Sequence, residues 1–196
     1  MSTRSAALIV TLLAGAVGCA SLAPRKIYVL DNANDAVREA SAASAAPAVQ
    51  LERVLVPDYL DTTDILTRAG GHELQSSQTG QWGERLSLGI THALRADLAV
   101  RLPSRVVAGT QPTDKTVRQI LVSVDRFDVW VDGHCILTAN WSLIEKDERD
   151  AVLTEHGAFT TPAASDGTPG DATVVAAMAN AVSQLADSIA SAVKRL

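Results

Sequence analysis

The sequence predicts an α+β domain, a mixed, largely antiparallel sheet packed by two main helices at about 84–102 and 171–195. Three observations carry this. From Gln119 to Thr161 apolar residues alternate with polar ones, the period of half-buried strands. Leu86, Ile90, Leu94 and Leu98 recur at four-residue steps. Val174, Met178, Val182, Leu185, Ile189, Val193 and Leu196 recur at three or four, so each set forms one helical stripe.

The elements follow in chain order. Lys26 to Leu30 reads as a first strand, rich in β-branched and aromatic residues. Ala33 to Pro47, rich in Ala and Ser without an apolar stripe, reads as a loop. Val49 to Val56 is a second strand closed by Pro57, with Tyr59 and Leu60 in the turn beyond. Ile65–Arg68 and Glu73–Gln78 flank Gly70-Gly71 as a hairpin. Trp82 precedes the first helix, which has Arg85, Arg95 and Arg101 on its wetter side and ends at Pro103.

In the meander, Ile120, Val122 and Val124 share one parity, and Phe127, Val129 and Val131 share the other. One extra residue near Asp125-Arg126 accounts for the switch, so a β-bulge is expected there. Asp132-Gly133 is a hairpin signal. Cys135, Leu137, Ala139, Trp141 and Leu143 then share an apolar face, where the thiol behaves as a small hydrophobe. Lys146–Asp150 is a charged turn, and Ala151–Thr161 is the last strand. A Ser/Gly/Pro loop from Pro162 to Gly170 leads to Asp171, a candidate cap for the second helix. That helix suits packing on the sheet, with a partner helix's groove as the other reading.

Several function classes lack their signatures. The chain has 196 residues, 47% apolar and 20% charged, which is an ordinary globular balance. Its net charge is −5, and without a basic stripe it makes a poor nucleic-acid binder. There is no phosphate-binding glycine loop and no Gly-x-Ser-x-Gly elbow. His72, His92, His134 and His156 are scattered, and His134 and Cys135 point to opposite faces of a strand. No catalytic constellation and no metal set emerges, so the chain reads as a non-enzyme without a cofactor.

The N-terminus carries the most specific signal. Arg4 is followed by the apolar run Ala6–Leu13, by small residues from Ala14 to Gly18, and by Cys19. The run is too short to span a bilayer, which needs ~20 apolar residues. Ala16-Val17-Gly18-Cys19 resembles a lipobox, although Ala16 stands where an aliphatic such as Leu is usual. Residues 1–18 are therefore expected to be a signal peptide, 19–25 a tether lipidated at Cys19, and 26–196 the folded domain. Acylation suffices for stable anchoring. An ordinary secretory leader with an incidental cysteine is the other reading. Ala20, rather than Asp, after the cysteine leans toward the outer membrane.

Val54-Leu55-Val56-Pro57-Asp58-Tyr59-Leu60-Asp61, Ile65–Arg68, Gln81-Trp82-Gly83-Glu84-Arg85-Leu86, Leu94–Leu98 and Leu102-Pro103 together resemble the ABC-type transport auxiliary lipoprotein family. Cys19 followed by Tyr28-Val29-Leu30 fits the same pattern, and Gly83 stands where the family often has Ala. The resemblance implies an α+β fold and a periplasm-facing outer-membrane lipoprotein. It also implies docking to an MCE-domain partner in a system that moves lipids between the two membranes, and allows a homo-oligomeric ring at the end of a symmetric tube. Tyr59, Leu60, Arg68 and Trp82 are then the residues to watch for a partner interface. Their structural alternatives are an anchor for the helix start at Trp82 and a partner for a carboxylate such as Glu84 at Arg68. The competing function is a stand-alone lipid carrier, suggested by Leu121, Ile136 and Ile144 on the nominally wet sheet face.

Overall fold

The computed structural model describes residues 24–30, 48–103, 105, 107–108, 117–145, 151–163 and 168–196. The expected leader, the lipidation site Cys19, the Ala/Ser loop and the Lys146–Asp150 turn lie outside them. The predicted α+β class holds, with the sheet divided in two. Strands β1 (Lys26–Tyr28), β3 (Asp64–Gly70) and β4 (Glu73–Trp82) form one sheet in the order β1-β4-β3. Strands β2 (Ala48–Leu51), β5 (Val107–Ala108), β6 (Val117–Val129), β7 (His134–Glu145) and β8 (Ala151–Pro162) form the other, in the order β5-β2-β6-β7-β8. The meander β6-β7-β8 and the β3-β4 hairpin are antiparallel, whereas β1 on β4 and β2 on both neighbours are parallel.

The bulge falls where the parity switch places it, between Val124 and Arg126 of β6. It keeps Ile120, Val122, Val124, Phe127 and Val129 all inward and buried. On β7 the same face buries Cys135, Leu137, Ala139, Trp141 and Leu143. Gly133 closes the β6-β7 turn at φ 88°, a left-handed value that favours glycine. Helix α2 (Asp171–Lys194) covers this face with Val174, Met178, Val182, Leu185, Ile189 and Val193, all buried, while Leu196 beyond it is exposed. Ala177, Ala181, Ala186 and Ala190 are buried too, and small residues there let α2 lie close to its neighbours. Helix α1 (Leu86–Arg101) packs on α2 through Ile90, Leu94 and Leu98.

Four expectations are corrected. The second strand stops at Leu51 instead of running to Val56. Arg53 and Val54 leave the sheet to bond α1, through Arg53 Nη2 to Ser87 Oγ (2.7 Å) and Val54 N to Thr91 Oγ1 (3.0 Å). Leu55 then rejoins β6, donating to Val122 O and accepting from Val124 N. The strand after Gly70-Gly71 runs past Gln78 to Trp82, four residues before the first helix. Asp171 does not cap α2; its carboxylate instead accepts from Thr79 Oγ1 at 2.6 Å.

The fourth correction is Arg101, which lies between the helices and not on a wet face. Its guanidinium donates to Asp97 Oδ1 (2.8 Å), Asp187 Oδ1 (2.5 Å) and Ser183 Oγ (2.6 Å). Loss of hydrogen bonds to charged groups costs about 2 kcal/mol. Arg101→Ala is therefore expected to lower the melting temperature by about 4–8 °C. Arg101→Lys, which keeps the charge without the planar fork, should fall between. A melting curve equal to wild type for Arg101→Ala would show that the clamp contributes nothing.

Candidate functional site

Pro57 begins a turn in which Leu60 N bonds Pro57 O (2.9 Å) and Asp61 N bonds Asp58 O (3.2 Å). The turn inserts Leu60 into the core, 3% exposed, and leaves Tyr59 45% exposed; Leu55, earlier in the same segment, is 65% exposed. It also delivers Asp61 to the start of α1, whose own N-cap, Arg85, makes no side-chain cap. Asp61 Oδ1 accepts from Ser87 N at 3.1 Å, and Oδ2 pairs with Arg85 (3.3 Å) and Arg53 (3.6 Å). A carboxylate at a helix N-terminus satisfies orphan amides and meets the positive end of the dipole. Burial pushes the Asp61 carboxyl up, but hydrogen bonds from Ser87 and Arg85 outweigh it and leave it below the usual carboxylate range.

Arg68 projects from β3 to Asp128 of β6, 60 residues along the chain. Nε and Nη2 donate to the two carboxylate oxygens at 2.9 and 3.1 Å, a bidentate fork, and Nη1 donates to Gly71 O at 3.0 Å. Arg126 Nε donates to the same carboxylate at 2.6 Å. Asp128 is 3% exposed, so two cations enclose one buried anion. Both guanidiniums also lie over the Trp130 ring, at 5.7 and 5.4 Å, and His134 stacks on it at 5.5 Å. His134 in turn pairs with Asp132. The Tyr59 hydroxyl lies beside Arg68. Burial and the Asp128 charge raise its pKa, and the two arginines oppose them. The Trp130 indole N–H finds no acceptor among the described residues.

The four residues singled out thus divide. Tyr59 and Arg68 meet at this cluster. Leu60 and Trp82 (4% exposed) are core, and Trp82 N bonds Thr63 O at 2.8 Å. Arg68 satisfies Asp128 and not Glu84, which pairs with His92 at 2.9 Å. Asp128, Arg126 and Trp130 were missed. Their signal was the bulge itself, since it turns positions 126, 128 and 130 outward. Among the described residues no group of three or more His, Cys, Asp or Glu side chains could hold a metal ion. No described helix is long and apolar enough to cross a membrane.

The arrangement is a charged clamp and a helix staple that hold the segment exposing Leu55 and Tyr59. The chain belongs to the family of ABC-type transport auxiliary lipoprotein components, whose model matches residues 28–190. Within it, the chain is similar to the intermembrane transport lipoprotein PqiC of Escherichia coli (strain K12), 26% identical over 186 residues, covering 91% of this chain and 92% of that one. The PqiC of Shigella flexneri matches equally. Two crystal structures share the fold. One, of an uncharacterized protein, has a TM-score of 0.68 at 21% identity and covers 85% of this chain and 96% of its own. The other, XCC0632 from Xanthomonas campestris, has a TM-score of 0.62 at 15% identity and covers 85% and 90%. The family is a class of transport auxiliaries, not of enzymes.

Two outcomes follow. Asp61, with its pKa depressed in the fold, contributes stability above its unfolded pKa that is lost as pH falls through the lower folded value. Asp61→Asn should cost about 1 kcal/mol at pH 7, as for other helix caps. The gap from wild type should close on acidification below about pH 4. Denaturant unfolding across pH 3–7 reads this, and a gap independent of pH would assign Asp61 no charge-dependent role. Asp128→Ala leaves two cations facing each other. Arg126 is partly exposed, so the expected loss is about 3 kcal/mol, at the low end for a broken buried pair. The same unfolding measurement checks it.

Proposed function

We propose that this chain is a lipoprotein anchored through Cys19 in the outer membrane, facing the periplasm. There it docks an MCE-domain partner of a lipid transport system that links the two membranes. The observation that carries the reading is the exposure of Leu55 and Tyr59, both held out to solvent by a segment fixed to α1 through Asp61 and to β6 through Leu55. A rigid, exposed aliphatic–aromatic pair is what a docking surface needs, because little ordering entropy remains to be lost on binding. The family supports a transport auxiliary, and the name of the PqiC relatives supports intermembrane traffic. Lipidation rests on the Ala16–Cys19 box, and the choice of membrane rests on Ala20. A homo-oligomeric ring suits the end of a symmetric tube. The only prosthetic group invoked is the covalent lipid.

The lipid-carrier alternative finds less support. Leu121, Ile136 and Ile144 lie on the outer face of the larger sheet, opposite α2. A hollow of about 430 Å³ between β8 and the end of α2 has Glu155, Asp187, Ser188 and Arg195 on its walls.

One experiment has two arms. Cys19→Ser should move the protein from the membrane to the soluble periplasmic fraction and abolish labelling by a fatty acid. Retention in the membrane would exclude the lipid as anchor. In the wild-type background, a photocrosslinker replacing Tyr59 should capture an MCE-domain protein in native membranes, whereas one replacing Val152 should not. Equal capture from both positions, or capture from neither, would remove Tyr59 from the interface.

A further inference from the structure

Two of the most exposed large apolar side chains lie at the very start of the described fold. Ile27 is 69% and Val29 is 62% exposed, while Leu30 next to them is 4%. Residues two apart in extended chain face the same way. Both side chains lie over Gly83, where an added Cβ would come within 3.3 Å of Ile27 Cγ2 and 3.6 Å of Val29 Cγ1. Gly83 N also bonds Tyr28 O at 2.7 Å, so the pair sits on a fixed base and not on a free tail. A crevice bordered by Tyr28, Val29, Gly83, Glu84 and Gly89 adjoins it.

The charges around the patch are of both signs. Lys26 is exposed, and Arg25 is half-exposed in a pair with Asp64 at 3.3 Å. Asp31 follows Val29 by two residues, and Glu84, next to Gly83, is held by His92.

Chain length argues for one occupant. From Cys19 to Pro24 is five residues, which at most ~3.6 Å each span ~18 Å. A lipid on Cys19 therefore keeps the entry to the fold within about two Debye lengths of the headgroups. Ile27 and Val29 are the first large exposed apolar side chains that the chain then presents. We infer that the Ile27/Val29 patch, with Lys26 at its edge, rests in the interfacial region of the phospholipid leaflet that holds the anchor. The lipid fixes the molecule at the membrane, and the patch fixes which side of it faces the bilayer. This rests on Cys19 as the anchor.

The cysteine inventory makes the test clean. Cys19 is consumed by acylation. Cys135 is fully buried, and its thiol is pushed up to about 12 by burial, so it stays neutral and unreactive in the native fold. A single introduced cysteine is then the only reactive thiol. Ile27→Cys, Val29→Cys and, as a control, Val100→Cys would be made in the full lipoprotein. Val100, 46% exposed, sits at the far end of α1, roughly 20 Å of helix from Leu86. Each would carry an environment-sensitive fluorophore and be reconstituted into vesicles of phosphatidylethanolamine and phosphatidylglycerol. A quencher on the lipid acyl chain should reduce emission at positions 27 and 29 at least threefold more than at 100. Vesicle flotation is measured first. Protein that fails to float overturns the anchor and the patch with it. Protein that floats, with 27 and 29 quenched no more than 100, overturns the patch alone.

Discussion

The β-bulge between Val124 and Arg126 is the constraint on which the rest of the molecule depends. A strand without it would carry one parity throughout, and Arg126, Asp128 and Trp130 would follow Val124 into the face that α2 covers. Burying two ions there would cost several kcal/mol each. The extra residue instead keeps Phe127 and Val129 inward and turns the three others outward. The consequence is the clamp. Asp128 becomes reachable from β3, Arg68 closes on it as a fork, and the smaller sheet is fixed against the larger. The parallel bridge of Arg68 to Trp130 and the bond from Val131 N to Arg68 O (3.2 Å) run through the same point.

This explains which parts of the structure were legible in the sequence. The bulge, the inward face of β7, the stripes of both helices and the β3-β4 hairpin are local periodicities, and each was read correctly. The clamp was not, because it joins residues 60 apart and nothing near Arg68 in sequence names its partner. Glu84 was the nearer carboxylate, but it is held by His92 eight residues on. The short second strand was illegible for the same reason. Its strand-like pattern continues to Val56, and α1, brought alongside by tertiary packing, offers the hydroxyls that draw Arg53 and Val54 away. Of the four residues singled out for the site, Tyr59 was legible as a surface residue through its turn. Leu60 and Trp82 could not be told from interface residues, because a large apolar side chain near a turn looks the same either way.

The carboxylates show what the fold is organised to do. Asp61 staples a loop to a helix, Asp128 joins two sheets, Asp97 and Asp187 join two helices through Arg101, and Glu145 pairs across strands with Arg118 at 3.2 Å. Each of these bonds holds one element against another. None of these groups lies in a deep apolar pocket beside a free nucleophile, the setting in which a perturbed pKa would argue for chemistry. Burying such charges adds little net stability compared with apolar packing, but removing one partner is costly, so they penalise alternative arrangements more than they strengthen this one.

That economy bears on the exposed side chains. A surface Leu or Val taken singly needs no explanation. Leu55 and Tyr59 differ because Asp61 and β6 hold their segment from both sides, so the pair presents one shape. Ile27 and Val29 differ because Gly83 supports them from beneath. In both places the fold uses directional bonds to hold apolar side chains in water. A chain whose work is contact at two surfaces, a bilayer and a partner, would place its rigidity at those two places.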